Sequence, residues 1–305
     1  MKIGYFPGCS LHATAREFDE SLKAIATALE VELEEVKDWA CCGASSAHAA
    51  SHLLSVALPA RTLALAEAQG LEQVLAPCAA CYSRLAMAGH AIAEDDALRA
   101  RVSKVIDRPL ERSVAVVSII EWLKQLAPEI ERKRTTPLGD LKVACYYGCL
   151  LVRPPAVAGS EDPEAPTAME TIVKAAGAKP VAWHMALECC GGGFSLARPK
   201  SVVRLGRAIL EDARAAGAQA LVVGCPMCHS NLDFRQRAIL RRAEAPFELP
   251  ILFLSELVGM ALGLAPRALG MHRHFVSTQP VLDLATAPNS LPEKPKSLPD
   301  KREQV

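Results

Sequence analysis

Glu188-Cys189-Cys190-Gly191-Gly192-Gly193 is the stretch around which the chain is organised. Neighbouring side chains on a regular strand point to opposite faces. Two adjacent cysteines can serve one site only if the backbone turns sharply, and glycine permits such a turn. A shorter version occurs earlier, as Ala40-Cys41-Cys42-Gly43. Each pair has a single cysteine upstream, Cys9 or Cys149, and a Cys-x-x-Cys downstream, Cys78/Cys81 or Cys225/Cys228. The chain reads as two copies of one cysteine cradle.

Working outward, Cys9 maps to Cys149 with an offset of 140, Cys41 to Cys189 with 148, and Cys78 and Cys81 to Cys225 and Cys228 with 147. About eight extra residues therefore sit early in the second copy, in the Pro- and Gly-containing stretch Leu151 to Pro166. That stretch is expected to form a long loop over the site. Strands are predicted at Lys2–Phe6, Val31–Val36 and Val74–Ala76, and again at Lys142–Tyr147, Pro180–Trp183 and Ala220–Val223. Between them, helical spacing marks Phe18–Leu29, Ala44–Ala57, a further helix opened by Pro59 and running to Ala68, Tyr82–Ile92, Ala97–Ile106, Ser118–Leu126, Thr167–Ala176, Ser201–Ala215 and a closing Ile251–Leu262.

The expected fold class is α/β: two pseudo-symmetric, Rossmann-like lobes, each a small parallel sheet of β-α-β-α-β type flanked by helices. The ten paired cysteines fall at the C-terminal ends of strands, where open α/β sheets place ligands. The expected domains are 1–135 and 136–285, with a polar, Pro- and Lys-containing tail, 286–305, expected to be disordered.

The chain has 305 residues, half of them hydrophobic, and a formal net charge of zero. That length suffices for one large or two ordinary domains. Zero net charge argues against nucleic acid as the main partner. The start, Met1 to Gly8, does not read as a signal peptide. The longest apolar stretch, Leu249–Leu264, is interrupted by Ser255 and Glu256 and falls short of a membrane span. The expectation is a cytoplasmic protein with no transmembrane segment. Eleven cysteines in a reducing compartment point to metal binding or redox chemistry, not disulfides.

Five thiols per copy exceed the four of a structural zinc site or an ordinary cubane cluster. Soft thiolates favour iron–sulfur or zinc. An iron–sulfur assembly in which one thiolate bridges two irons would use all five; one zinc per lobe with a spare thiol is the alternative. The eleventh cysteine, Cys145, lies within a predicted strand and reads as a small core residue.

Phe6-Pro7-Gly8-Cys9, Cys41-Cys42-Gly43, Pro77-Cys78-x-x-Cys81, Tyr147-Gly148-Cys149, Cys189-Cys190-Gly191-Gly192 and Cys225-Pro226-Met227-Cys228 together resemble the twin cysteine-rich CCG domains of the heterodisulfide reductase B subunit. Arg153-Pro154, Asp162-Pro163, Pro166, Met169-Glu170 and Asn231-Leu232-Asp233-x-x-Gln236 add to the likeness, which covers roughly residues 1 to 265. The resemblance implies two noncubane [4Fe-4S] clusters. Cys9, Cys41, Cys42, Cys78 and Cys81 would hold the first; Cys149, Cys189, Cys190, Cys225 and Cys228 the second. It also implies a substrate disulfide between the clusters, a partner C subunit with cubane [4Fe-4S] clusters and a flavin-containing A subunit. A sulfur-oxidising branch of the family adds a lipoate-binding protein as sulfur carrier. Cys145 departs from the family pattern.

The expected function is reversible thiol–disulfide chemistry by two one-electron transfers. The alternative is an iron–sulfur electron-transfer subunit of a flavin dehydrogenase or quinone-linked complex, of the glycolate/lactate oxidase or succinate dehydrogenase/fumarate reductase type. The chain has no Gly-x-Gly-x-x-Gly, so a flavin would belong to a partner. His12, His48, His184 and His229 are candidate proton donors, His229 foremost because it adjoins Cys228. Arg153, Arg198 and Lys200 could bind an anionic substrate. Met185, Met227 and Phe194 are expected to line the cleft or pack against a cluster.

Overall fold

The computed structural model describes residues 1–44, 46–111, 114–136, 138–159, 162–241 and 247–286. Two four-stranded sheets, parallel throughout, form the framework. The first has the order β2-β1-β3-β4, with β1 Lys2–Tyr5, β2 Glu32–Glu35, β3 Gln73–Ala76 and β4 Ala115–Ser118. The second repeats it as β6-β5-β7-β8, with β5 Lys142–Tyr146, β6 Lys179–Pro180, β7 Ala220–Val223 and β8 Ile251–Phe253. The first lobe carries α1 (Gly8–His12), α2 (Arg16–Ala28), α3 (Ala47–Ala50), α4 (His52–Ala68), α5 (Ala79–Glu94), α6 (Asp96–Ile106), α7 (Ile119–Gln125) and α8 (Ala127–Lys133). The second carries α9 (Ala168–Ala175), α10 (Pro199–Ala215), α11 (Pro226–Leu232), α12 (Gln236–Leu240), α13 (Leu254–Ala261) and α14 (Gln279–Thr286).

The inner strands and β8 are short apolar runs because helices cover both faces, whereas the edge strand β2, Glu32–Glu35, is largely acidic. All four residues of β7 are buried, as are all three of β8. Each sheet has four strands where three were expected. Ala115–Ser118 and Ile251–Phe253 feed directly into helices with no turn residue between, so an apolar run of that length carries no period of its own. In the first lobe the junction is a capping box: Ser118 Oγ accepts from Glu121 N at 3.1 Å, and Ser118 N donates to Glu121 Oε2 at 2.8 Å. Pro59 lies inside α4 and does not open it. The break falls at Ser51, which is extended (φ −163°, ψ 134°) and accepts from Leu54 N at 3.4 Å. Thr286 ends a helix; the remainder of the expected disordered tail lies outside the described residues.

The lobes meet as a duplicated structure should. α2 of the first packs on α13 of the second, and the equivalent α9 packs on α7. Equivalent elements thus exchange partners about a pseudo-twofold axis. At the α2/α13 seam Phe18 and Phe253 stack at 4.2 Å and 6°, and the hydroxyls of Ser21 and Ser255 lie 2.7 Å apart. One hydrophobic core runs through both sheets and this seam.

The candidate cysteine centres

Each cradle is assembled from the loops after three successive strands. Cys9 sits in α1 immediately after β1, Cys41 and Cys42 follow β2, and Cys78 and Cys81 straddle the start of α5 after β3. The second copy repeats this with Cys149 after β5, Cys189 and Cys190 after β6, and Cys225 and Cys228 at the start of α11 after β7. The loops converge because the strands are parallel and their C-terminal ends share one edge.

Within the first cradle Cys42 Sγ lies 3.4 Å from Cys81 Sγ. In the second, Cys190 and Cys228 are 3.6 Å apart, and Cys149 and Cys189 4.0 Å. Two thiolates bound tetrahedrally to one ion at ~2.3 Å are about 3.8 Å apart, whereas a disulfide is ~2.05 Å long. All eleven cysteines are free, and these separations fit shared metal atoms. Backbone N–H groups turn toward the sulfurs: Gly43 N donates to Cys41 Sγ at 3.5 Å and Gly191 N to Cys189 Sγ at 3.3 Å. The Asn231 amide donates to the Cys190 carbonyl at 3.2 Å and lies 3.7 Å from its sulfur. An all-thiolate donor set with N–H groups aimed at it suits iron–sulfur chemistry.

Gly8 and Gly148, equivalent positions with left-handed backbones (φ +65° and +63°), give the cradles their floor. A Cβ there would stand 2.9 Å from Cys81 Sγ and 3.4 Å from Cys228 Sγ. At the opening stretch of the sequence, Gly191 supplies the turn (φ +80°). Gly192 would bring a Cβ within 3.8 Å of Cys190 Sγ.

Thiol–thiol hydrogen bonds split the acidities. Cys189 is held down at about 6, first by a hydrogen bond from Cys149 and then, against burial, by the N–H groups of Gly191 and Gly192. Cys42 is lowered to about 7, chiefly by Cys81. Cys225 falls well below the ordinary thiol value through Cys228 and then Cys78, while those two partners are raised. Cys78 and Cys225 are the equivalent residues of the two copies, and they lie close enough across the lobe boundary for each to shift the other's acidity. The two cradles therefore adjoin at the pseudo-twofold axis.

A cleft of about 500 Å³ opens beside them. All five second-lobe cysteines but none of the first-lobe five line it, and the first lobe contributes Ala44, His48, Ala79 and Ala80. Met227, Leu150 and Leu196 make much of the remaining wall. Of the four candidate histidines, only His48 faces this cleft. His12 stacks edge-on against Trp39, and His184 binds Asp212 at the surface. His229 turns the other way: its ring is 5% exposed, Nε2 donates to the Ile251 carbonyl at 3.1 Å, and Phe253 covers its face at 4.3 Å. Adjacency to Cys228 put His229 foremost in sequence, but on α11 successive side chains point about 100° apart.

Arg153 pairs with Glu164, and Arg198 and Lys200 are exposed without lining the cleft. Nor does the loop Leu151–Pro166 cover it. The loop reaches the first lobe, where the Tyr82 hydroxyl donates to the Val157 carbonyl at 3.2 Å, and it lines a separate pocket with Ser118 and Glu121. Cys145 is fully buried within β5, its thiol beside Glu170, as a core residue should be. Met227 lines the cleft, whereas Met185 packs against the core and Phe194 is about half exposed.

The family model of the cysteine-rich CCG domain matches the chain twice, over residues 3–86 and 143–233. The chain belongs to the cysteine-rich CCG domain family, in which it is a two-copy member. It is 35% identical, over 90% of its length and 97% of the relative's, to the 8-methylmenaquinol:fumarate reductase membrane anchor subunit of Wolinella succinogenes. It is 31% identical to the B subunit of a ferredoxin/F420H2-dependent CoB-CoM heterodisulfide reductase of Methanosarcina acetivorans, over 90% and 94% of the two chains. A hypothetical protein from Helicobacter pylori has the same fold, with a TM-score of 0.72 at 14% identity over 90% of this chain and 52% of that protein. Among the described residues no helix is long and apolar enough to cross a membrane.

Proposed function

We propose that this chain is the catalytic iron–sulfur subunit of a heterodisulfide reductase-like complex, with domains 1–135 and 136–285 each holding one noncubane [4Fe-4S] cluster. Cys9, Cys41, Cys42, Cys78 and Cys81 hold the first, and Cys149, Cys189, Cys190, Cys225 and Cys228 the second. Such clusters supply single electrons, and a disulfide consumes two with two protons to give two thiols. The observation that carries this reading is the placement of all five second-lobe cysteines on one cleft, whose opposite wall includes Ala79 and Ala80, next to Cys78 of the first cradle. The cleft admits the sulfur substrate to the second cradle, and the closeness of Cys78 and Cys225 joins the two cradles into one electron route. His48, in place of His229, is the side chain positioned to move a proton at the cleft. A partner with cubane clusters supplies or removes the electrons, a second partner carries flavin, and a lipoyl-bearing protein is one sulfur carrier that an apolar cleft suits.

A second reading, an electron-transfer subunit of a fumarate reductase-type complex, is favoured by the 35% identical relative. It also draws support from a cleft lined by no arginine or lysine among the described residues, which suits an uncharged redox partner better than an anionic one. Both readings require the clusters. The deciding experiment is anaerobic reconstitution of the full chain, with iron and sulfide quantified and the paramagnetic signal followed as thiols are added. Cys41→Ala and Cys189→Ala should each abolish one cluster signal. A thiol-sensitive second-lobe signal supports disulfide chemistry; a signal that no thiol perturbs moves the assignment to electron transfer alone.

A further inference from the structure

We propose that His229, Asp233 and His274 form a binding site for a divalent transition-metal ion, zinc by its ligand chemistry, at the α2/α13 seam and separate from the cysteine cradles. One ligand atom from each of the three residues lies within 4.8 Å of the others. Zinc bonds to nitrogen and oxygen run ~2.0–2.2 Å, which places tetrahedral ligands about 3.4 Å apart, so the site closes modestly on the ion.

The strongest indication is how the two imidazoles are held. Metal-bound histidines almost always donate their second ring N–H to a carbonyl or carboxylate, which fixes ring and tautomer. Here His229 Nε2 lies 3.1 Å from the Ile251 carbonyl, and His274 Nε2 lies 2.8 Å from Glu256 Oε1. Both arrangements leave Nδ1 as the free ligand atom. His274 Nδ1 is buried without a hydrogen-bond partner, on a side chain that is 1% exposed. A buried, unpaired ring nitrogen is costly unless something occupies it.

Charge points the same way. Three carboxylates are buried around the two rings: Glu17 at 8%, Asp233 at 2% and Glu256 at 0% exposure. Asp233 is oriented by two backbone donors, Phe275 N at 2.8 Å and Val276 N at 3.0 Å, and each of its oxygens keeps a lone pair. The nearby Arg273 is committed to Glu20 at 2.7 Å. A divalent cation would offset this negative charge where a single imidazolium does so only in part. A solvent-filled pocket bordered by Glu17, His229 and Asp233 gives the ion an entry path and a fourth ligand, water or Glu17.

The duplication supplies a control. By the offset of 147, His229 corresponds to Tyr82, and by the capping boxes Glu256 corresponds to Glu121. At that seam the Tyr82 hydroxyl donates to the Val157 carbonyl at 3.2 Å, with Glu121 close by. Among the described residues only one of the two equivalent seams has a metal-ligand set. Glu17 belongs to the first lobe and the three ligands to the second, so an ion there would clamp the lobes together.

The test uses the full chain, anaerobically loaded with iron and sulfide so that the cysteines are occupied. It is then chelator-treated to constant iron content and titrated with Co²⁺ and, separately, Zn²⁺. One Co²⁺ per chain is expected, with tetrahedral d–d bands and no thiolate-to-cobalt charge-transfer band. Zinc absorption spectroscopy should show imidazole and oxygen scattering without sulfur. His274→Gln and Asp233→Ala should weaken Co²⁺ binding at least ~10-fold with iron content unchanged, while His184→Gln should have no effect. Should the ligand variants fail to fold, Glu256→Gln, which keeps all three ligands, should still weaken binding ~10–100-fold. Absence of Co²⁺ and Zn²⁺ uptake by the loaded wild-type chain would overturn the proposal. So would a sulfur shell around zinc, or binding unchanged in the variants.

Discussion

Replacing Gly8 and Gly148 by alanine separates the space a cradle needs from the backbone conformation it needs. Both glycines are left-handed, so alanine at either costs ~1–2 kcal/mol in the backbone alone. Space is what differs. The new methyl at residue 8 would lie 2.9 Å from Cys81 Sγ, and at residue 148 it would lie 3.4 Å from Cys228 Sγ. Ordinary contacts to carbon begin at about 3.5 Å, so Gly8→Ala must displace the Cys81 sulfur by roughly 0.6 Å or more, while Gly148→Ala requires about 0.1 Å. Metal–ligand distances tolerate only about ±0.2 Å. Gly70→Ala and Gly217→Ala are matched controls, left-handed at φ +73° and +79° with nothing within 4 Å of the added carbon. Anaerobic iron and sulfide analysis with thermal denaturation reads both effects. All four variants should lose a few degrees of melting temperature. Only Gly8→Ala should lose the first-lobe iron, roughly half the total, while Gly148→Ala retains nearly all. Full iron in Gly8→Ala, or equal loss in Gly148→Ala, would refute the claim that the two sulfurs are held where they stand.

Metal-free protein at pH 7 should alkylate first at Cys189, which is exposed and lowered to about 6; mapped iodoacetamide labelling should slow as pH falls through that value. Cys149→Ala should move this midpoint upward, since Cys149 supplies the main stabilising hydrogen bond. Ala80→Phe adds a ring to the first-lobe wall of the cleft and should keep full iron while abolishing any response to added thiol; a persistent response would place the substrate elsewhere. Phe253→Ala removes the ring stacked between Phe18 and His229 and should destabilise the chain by ~3–5 kcal/mol in a denaturant titration.

The cysteine spacing made the duplication readable because each cradle draws on three strand ends, and an offset shared by Cys78/Cys225 and Cys81/Cys228 survives loop insertion. It could not reveal β4 or β8, which are too short and too continuous with their helices to carry a period. Nor could it reveal orientation. His229 and His48 are both near cysteines in sequence, yet only rotation about α11 and the packing of lobe on lobe decide that one is sealed behind Phe253 and the other faces the cleft. The loop Leu151–Pro166 was legible as an insertion, but its destination against Tyr82 depends on a contact between lobes. His274 carries no sequence signal because its partners lie on two other segments, Glu256 on α13 and His229 and Asp233 on α11 and its C-terminal end.

A duplicated pair of cradles related by a pseudo-twofold axis begins with equal access to both sites, and equal access is what a symmetric reaction at two clusters would use. This chain has departed from that arrangement in a consistent direction. The second cradle's cysteines line the cleft, whereas Cys9 and Cys41 of the first are exposed outside it, and the first lobe supplies the cleft wall through Ala79 and Ala80, the residues immediately after Cys78. On the axis itself, Cys78 and Cys225 lie close enough to shift each other's acidity. A cleft at one cradle combined with the closeness of the two suits a division of labour. On the proposed function, the second cradle would meet the partner molecule and the first would hold the second electron close by. A two-electron reaction with one-electron carriers needs such an arrangement, because a half-reduced substrate is released unless the next electron is near. On the proposed function, the proximity of the two cradles, more than the number of thiols in either, is therefore the feature that this twofold fold would contribute.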